Sequence, residues 1–138
     1  MSLDFMKTIA VAASGLRAQS GRMRVIAENM ANAESTADRP GADPYRRKIP
    51  TFSRQFDRAV EASLVELGRV RTDASAFRTK HDPNHPAADA AGQVKLPNVN
   101  ALVEMVDMRE AQRSYEANLN VVTSTRRMIS RTLDILRA

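Results

Sequence analysis

Residues 99–138 of the chain read VNALVEMVDMREAQRSYEANLNVVTSTRRMISRTLDILRA and contain neither proline nor glycine. Alternating steps of three and four residues through this stretch place apolar side chains at eight of ten positions. A chain that is 43% hydrophobic would place about four there by chance. This spacing is typical of a helix that packs along one stripe, as in a coiled coil. We therefore predict a helix over about residues 101–137, roughly 55 Å long.

The other end of the chain repeats this pattern. The same steps through residues 3–34 place apolar side chains at eight of nine positions, which predicts a second helix of roughly 48 Å. Gly15 and Gly21 lie inside it, and each costs about 1 kcal/mol relative to alanine in a helix interior. They mark either points of close helix approach or tolerated flexibility.

Two long amphipathic ends each need a partner of similar length. We therefore predict a mainly α fold in which the terminal helices pair as an antiparallel coiled coil, with a small β-containing, Pro-rich middle domain. The predicted segments are an N-terminal coiled-coil helix over 1–36, a middle segment over 37–98 and a C-terminal coiled-coil helix over 99–138. All six prolines lie in the middle segment.

The predicted interaction seam consists of the apolar positions along the two helix stripes. Polar residues interrupt it at Gln19, Gln112 and Arg126. Such residues either fix register or partner number, or lie where the seam drifts towards solvent. The seam residues are Ile9, Leu16, Met23, Ile26, Met30, Met105, Met108, Tyr115, Leu119, Val122, Ile129 and Leu133.

The middle segment gives weaker signals. Residues 45–56 are compatible with an edge strand or with a helical face, because Phe52, Phe56 and Val60 are four residues apart. Residues 64–72 and 92–96 alternate as short strands do. Residues 81–86, HDPNHP, predict an extended surface loop, and Asn98 or Asn100 is expected to cap the C-terminal helix.

No residue pattern predicts catalysis. The chain has no cysteine, which excludes disulfides and thiolate chemistry, and it has no phosphate-binding or nucleophile-elbow motif. His81, Asp82, His85 and Asp89 cluster in sequence, but their spacing matches no zinc pattern. We predict a protein that is not an enzyme, with no metal and no cofactor.

The basic character of the chain leaves two interpretations open. The net charge is +5, and Arg46-Arg47-Lys48 is the one dense basic run. This pattern favours a solvated surface, and the alternative is a basic coiled-coil protein that associates with nucleic acid. No stretch reaches the ~18 to 20 apolar residues of a membrane span, and the N-terminus does not resemble a cleaved secretory signal.

Several motifs resemble those of the bacterial flagellar axial proteins. The first is SGLRAQ at 14–19, followed by IAENMANAEST at 26–36. Further on, DPNHPAAD at 82–89, PNVN at 97–100, EMVDM at 104–108 and RSYEAN at 113–118 are similar to the proximal rod subunits of that family. The resemblance extends from one end of the chain to the other. The signature residues are Asn29, Asn32, Thr36, Pro83, His85, Pro86, Pro97 and Asn98.

The resemblance implies a structural role in the proximal rod of the flagellar basal body, the drive shaft that transmits torque from the motor ring to the hook and is needed for motility. It implies self-assembly with other rod subunits, contacts with the rod-base adaptor and with inner-membrane ring proteins, and no binding to nucleic acid. It also implies export through the flagellar type III apparatus, without a cleaved signal peptide, to the periplasmic rod. A protein of this kind would not span the membrane.

Overall fold

The computed structural model describes residues 2–137. Helix α1 spans Ser2–Ala31. Helix α2 spans Ala101–Arg137, the bounds predicted for it from the sequence. Between the helices, the described chain has six short strands. They are β1 (Lys48–Ile49), β2 (Phe52–Asp57), β3 (Ala62–Leu67), β4 (Arg71–Thr72), β5 (Arg78–His81) and β6 (Gln93–Leu96).

The strands form three separate two-stranded antiparallel sheets, in which β1 pairs with β4, β2 with β3, and β5 with β6. In the β2–β3 hairpin, Phe52 lies opposite Leu67 and Asp57 lies opposite Ala62. Its turn includes Glu61, whose φ of 52° lies in the left-handed region that few residues other than glycine adopt. The strand interpretation of this stretch is therefore confirmed, and the helical one is wrong.

The prediction of a mainly α coiled-coil fold with one small middle domain is wrong. Helices account for 49% of the structure and strands for 18%, and the middle forms three small sheets instead of one domain. The error has a physical cause. A heptad spacing indicates only that a helix has an apolar stripe and does not show which side of the helix is buried. The buried side of α2 includes Glu104 and Thr125, while Met105 and Leu119 of the apolar stripe are exposed.

Contacts divide the chain into two units. Unit 1 comprises the residues up to Met23, Thr51–Arg69, and the residues from Arg109 onwards. Unit 2 comprises Arg24–Pro50 and Val70–Met108. The division into segments 1–36, 37–98 and 99–138 is based on periodicity and proline content and not on contacts, and it stays a prediction.

Unit 1 is built around small side chains. Gly15 lies against α2, so closely that a methyl group at this position would be 2.9 Å from the amide of Asn118. Gly21 lies against the β2–β3 hairpin, where the same methyl group would be 2.8 Å from Leu67 Cδ2. Of the two interpretations of these glycines, the contacts favour close approach. The buried side chains of unit 1 are Ala12, Ser14, Ala18, Ala111 and Thr125.

Unit 2 holds the larger buried side chains. The end of α1 contributes Val25 and Ile26, β6 contributes Val94 and Leu96, and the segment before α2 contributes Val99. These residues form an apolar core of ordinary composition. The strand predicted over residues 92–96 is thus confirmed as β6, and it alternates between buried and more exposed positions.

Side-chain hydrogen bonds fix the helix ends in unit 2. Asn100 Oδ1 accepts from the backbone N–H of Leu102 at 3.0 Å, which makes Asn100 the N-cap of α2. Asn32 Nδ2 donates to the carbonyl of Glu28 at 2.9 Å, and the Asn32 carbonyl accepts from Ser35. Helix α1 therefore ends at Ala31, three residues before the predicted end at residue 34.

Candidate interaction site

A buried polar site in unit 2 is centred on Asn29, which is fully buried. Its Nδ2 donates to the carbonyl of Lys48 at 2.8 Å and to Glu104 Oε2 at 3.2 Å. Its Oδ1 accepts from the Tyr45 hydroxyl at 2.8 Å and from the backbone N–H of Lys48 at 2.9 Å. The amide thus makes all four hydrogen bonds that its atoms allow.

Glu104 is the charged centre of the same site and is only 1% exposed. Its Oε1 accepts from Arg47 Nε at 2.5 Å. The Arg47 guanidinium also lies 3.6 Å from Asp73 and 3.8 Å from Asp107. A buried carboxylate requires such pairing, because removing an unpaired charge from water costs several kcal/mol or more.

The charges of this site act on two neighbouring groups. Burial raises the pKa of Tyr45 to about 12, and the negative charges of Glu28 and Glu104 act in the same direction. For Arg47, burial alone would lower the pKa, but the hydrogen bond and charge of Glu104, with Asp73 and Asp107, leave it above its usual value. Tyr45 therefore stays neutral, and Arg47 stays charged, over the physiological pH range.

The three basic side chains of residues 46–48 all have partners within unit 2. Arg46 lies 4.2 Å from the centre of the Phe77 ring and donates to two backbone carbonyls. Arg47 pairs with Glu104, and Lys48 Nζ bonds the carboxylate of Glu28. These contacts direct the densest basic stretch of the sequence towards partners inside the chain.

Two signature residues before α2 link separate segments of unit 2. Asn98 Oδ1 accepts from the backbone N–H of Arg47 at 2.8 Å, and Asn98 Nδ2 donates to the carbonyls of Asp73 and Ser75. Pro97 is buried, and its carbonyl accepts from Arg78 Nε at 3.0 Å. Asn98 is therefore a bridge, while Asn100 caps the helix.

The signature residues of the loop after β5 make mainly local contacts. His85 Nδ1 accepts from the backbone N–H of Ala87 at 3.0 Å, and Pro83 lies against Gly92, whose φ is 75°. Pro83 and Pro86 are exposed. Within residues 2–137, no three His, Cys, Asp or Glu side chains are grouped in a way that could hold a metal ion.

The remaining signature residues lie where α1 ends. Asn32 is half-buried and bonds the last turn of the helix. Thr36 is half-buried and lines a shallow recess with residues 37–39 and 42–45. Together with Asn29, these residues place the signature at the exit from α1.

The predicted seam residues differ widely in exposure. In α1, Ile26 is buried, and Ile9, Leu16, Met23 and Met30 are half-buried. In α2, the half-buried members are Met108, Tyr115, Val122 and Ile129, and the exposed members are Met105, Leu119 and Leu133. The role of this set as an interaction seam stays a prediction.

Helix α2 leaves many large apolar side chains exposed. Ten large apolar side chains of this helix are exposed. Their fractional exposure rises to 76% at Ile135 and 77% at Leu136. Within residues 2–137, no helix is both long and apolar enough to cross a membrane. The exposed residues are Leu102, Val103, Met105, Val106, Leu119, Val121, Met128, Leu133, Ile135 and Leu136.

Sequence reasoning missed Glu104 as a site residue. The hydrogen bond from Arg47 spans 57 residues, and the one from Asn29 spans 75. The one local signal was that Glu104 begins the motif EMVDM, directly ahead of the predicted seam residue Met105.

Comparison with known proteins places these features in a family. The family model described as "Flagellar basal body rod FlgEFG protein C-terminal" matches residues 90–135. The chain is 51% identical to "Flagellar basal-body rod protein FlgC" of Agrobacterium fabrum over 93% of this chain and 92% of that protein.

More distant relatives carry the same name. Identity is 35% to the FlgC protein of Aquifex aeolicus, over 96% of this chain and 97% of that protein. Identity is 37% to the FlgC protein of Salmonella typhimurium, over 91% of this chain and 92% of that protein. The similarity therefore includes both helices and the sheets between them.

Proposed function

Because this chain belongs to the family of the flagellar basal-body rod protein FlgC, with a structural role in the rod, we propose that it is a subunit of the proximal rod. This is the part of the drive shaft that carries torque from the motor ring to the hook. On this proposal the protein catalyses no reaction, and it acts by packing against neighbours.

The exposed apolar side chains of α2 are the observation that supports this proposal best. Water-exposed apolar surface on this scale is typical of a surface that other protein chains cover. Burying it would contribute about 25 cal/mol for each Å² removed from water. We propose that the exposed seam residues Met105, Leu119 and Leu133 contact neighbouring subunits.

The proposed partners are other rod subunits, the rod-base adaptor and the inner-membrane ring proteins. The proposed location is the periplasmic part of the basal body, reached by export through the flagellar type III apparatus. Motility follows from the rod role. The names of the relatives support the basal body and the rod, and the finer partners rest on the resemblance of the sequence motifs.

A complementation experiment, in which this chain replaces a related protein, tests the proposal directly. The chain would be expressed in an Agrobacterium fabrum strain that lacks its own FlgC, and swimming and isolated basal bodies would be scored. We expect partial or full recovery of swimming and of complete rods. Stable expression without any rod would contradict the proposal.

A variant of α2 tests whether assembly uses the exposed apolar surface. Leu133 is 49% exposed, so Leu133→Asp is expected to leave the stability of the free chain within about 0.5 kcal/mol. It should nevertheless abolish rod assembly, because an unpaired charge would be buried at the contact with a neighbour. Ser130→Asp is the matched control, since Ser130 is an exposed polar residue of the same helix. Normal rods with Leu133→Asp would contradict the assignment of Leu133 as a contact.

A further inference from the structure

Three distant segments of the chain meet at one buried carboxylate in unit 2. Glu104 comes from the first turns of α2, Asn29 from the end of α1, and Arg47 from the residues just before β1. Glu104 bonds the side chains of both of the others. We call these three residues the polar clasp.

Backbone hydrogen bonds link two members of the polar clasp, Asn29 and Arg47, to further residues of unit 2. Asn29 bonds both the N–H and the carbonyl of Lys48, which fixes the start of β1 against α1. The backbone N–H of Arg47 donates to Asn98, just ahead of α2. The clasp therefore joins the end of α1, the residues before β1 and the start of α2, which are distant in sequence.

We infer that the polar clasp makes residues 24–50 and 70–108 one cooperative folding unit, which closes in the free chain before any neighbouring subunit is bound. This inference goes beyond the proposed function, because it concerns the isolated chain and not the assembled rod. It assigns Glu104 and Arg47 the role of positioning residues that act on the fold.

Cooperativity follows from the energetics of a buried charge. If the segment that carries Glu104 or the one that carries Arg47 detaches, the other residue loses its ion-pair partner. If the end of α1 detaches, Glu104 loses the hydrogen bond from Asn29. Breaking a buried ion pair on one side is strongly destabilising, whereas removing both charges together is often nearly neutral. Partial opening is thus disfavoured, and the segments should open together.

Two variants of the full-length chain, at a concentration where it is monomeric, test the inference by amide hydrogen exchange. Arg47→Gln leaves Glu104 charged without its guanidinium partner. We expect protection to fall by about a hundredfold or more at the slowly exchanging amides throughout residues 24–50 and 70–108. The double variant Arg47→Gln/Glu104→Gln should recover at least about tenfold of that loss, because no charge is then left buried and unpaired.

An exposed ion pair supplies the control. Arg22 and Glu110 lie 3.4 Å apart in unit 1, with 65% of the Glu110 side chain exposed. Arg22→Gln should change protection in unit 2 by less than about threefold, as for surface pairs in general. Three results would each overturn the inference: a loss confined to residues beside 47 and 104, a double variant no better than Arg47→Gln, or an equal loss with Arg22→Gln.

Discussion

The two units bury different kinds of residue, although they share the same two helices. The buried side chains of unit 1 are alanine, serine and threonine, while unit 2 buries valine, isoleucine and leucine around a paired charge. Unit 1 also contains Gln19, whose Oε1 is buried without a hydrogen-bond partner in the described part of the chain. Each helix therefore packs against large apolar side chains in unit 2 and against small side chains in unit 1.

This difference suggests which part of the chain is stable alone. Ordering the backbone costs roughly 1–2 kcal/mol per residue, and small side chains bury too little apolar surface to offset that cost. Unit 2 has an apolar core and the polar clasp. Unit 1 has close helix contacts and a large exposed apolar surface, so its stability should depend on neighbours.

The largest expected effect comes from the core of unit 2. Ile26 is 2% exposed, and Ile26→Ala should destabilise the free chain by about 2–5 kcal/mol through lost burial and the cavity left behind. Val122→Ala, at a half-buried position of unit 1, should cost less than about 1 kcal/mol in the same chain. Urea unfolding of the dilute monomer measures both values. Similar losses at the two positions would show that the units are equally stable.

A smaller effect is expected from the Tyr45 hydroxyl. Tyr45→Phe removes its hydrogen bond to Asn29 and should cost about 1 kcal/mol at neutral pH. Because the pKa of Tyr45 is raised from 10.0 to about 12 in the folded chain, this contribution is complete below pH 10 and is lost as the pH rises to 12.

The pH dependence of this variant separates it from a simple packing defect. Urea unfolding at pH 7, 10 and 12 should show the gap between wild type and Tyr45→Phe narrowing across the upper interval. Tyr115→Phe removes the same atom from unit 1 and should leave hydrogen exchange in unit 2 unchanged. A gap that is constant from pH 7 to pH 12 would contradict the role given to the hydroxyl.

The smallest effect concerns the two glycines of α1. Alanine gains about 1 kcal/mol of helix propensity over glycine. At Gly21 the obstacle is the Cδ2 methyl of Leu67, which can rotate, so Gly21→Ala should be neutral or slightly stabilising. At Gly15 the methyl group would displace the Asn118 amide, which donates to the Ser114 carbonyl at 2.9 Å.

Gly15→Ala should therefore lose most of the propensity gain and be less stable than Gly21→Ala by a few tenths to about 1 kcal/mol. Thermal unfolding of the two variants, compared with the wild type, measures this difference. A Gly15→Ala chain more stable than the Gly21→Ala chain would indicate that the helices are not closely packed at Asn118.

Local signals in the sequence predicted the helices well and the packing poorly. The bounds of α2 follow from a long periodic stretch without proline or glycine, and its start follows from the chemistry of an asparagine cap. The β2–β3 hairpin was ambiguous because a four-residue spacing of phenylalanines fits a helix as well as a strand. Its turn at Glu61 uses a conformation that the residue type does not reveal.

The polar clasp could not be predicted, because its formation depends on distant segments. Asn29 was identified as a signature residue from the family motif, but its partners lie 19 and 75 residues away. The periodicity of α2 also misled the choice of buried positions. It selects the largest apolar side chains, whereas close approach in unit 1 uses small ones such as Ala111.

The most direct test is the helicity of α2 along its length in a dilute monomer, measured residue by residue from backbone carbon chemical shifts. We expect full helical shifts over residues 101–108, which lie in unit 2, and helical shifts of reduced size over 112–137. Uniform helical shifts across residues 101–137 in a verified monomer would contradict the claim that unit 2 holds its part of the helix while the rest depends on neighbours.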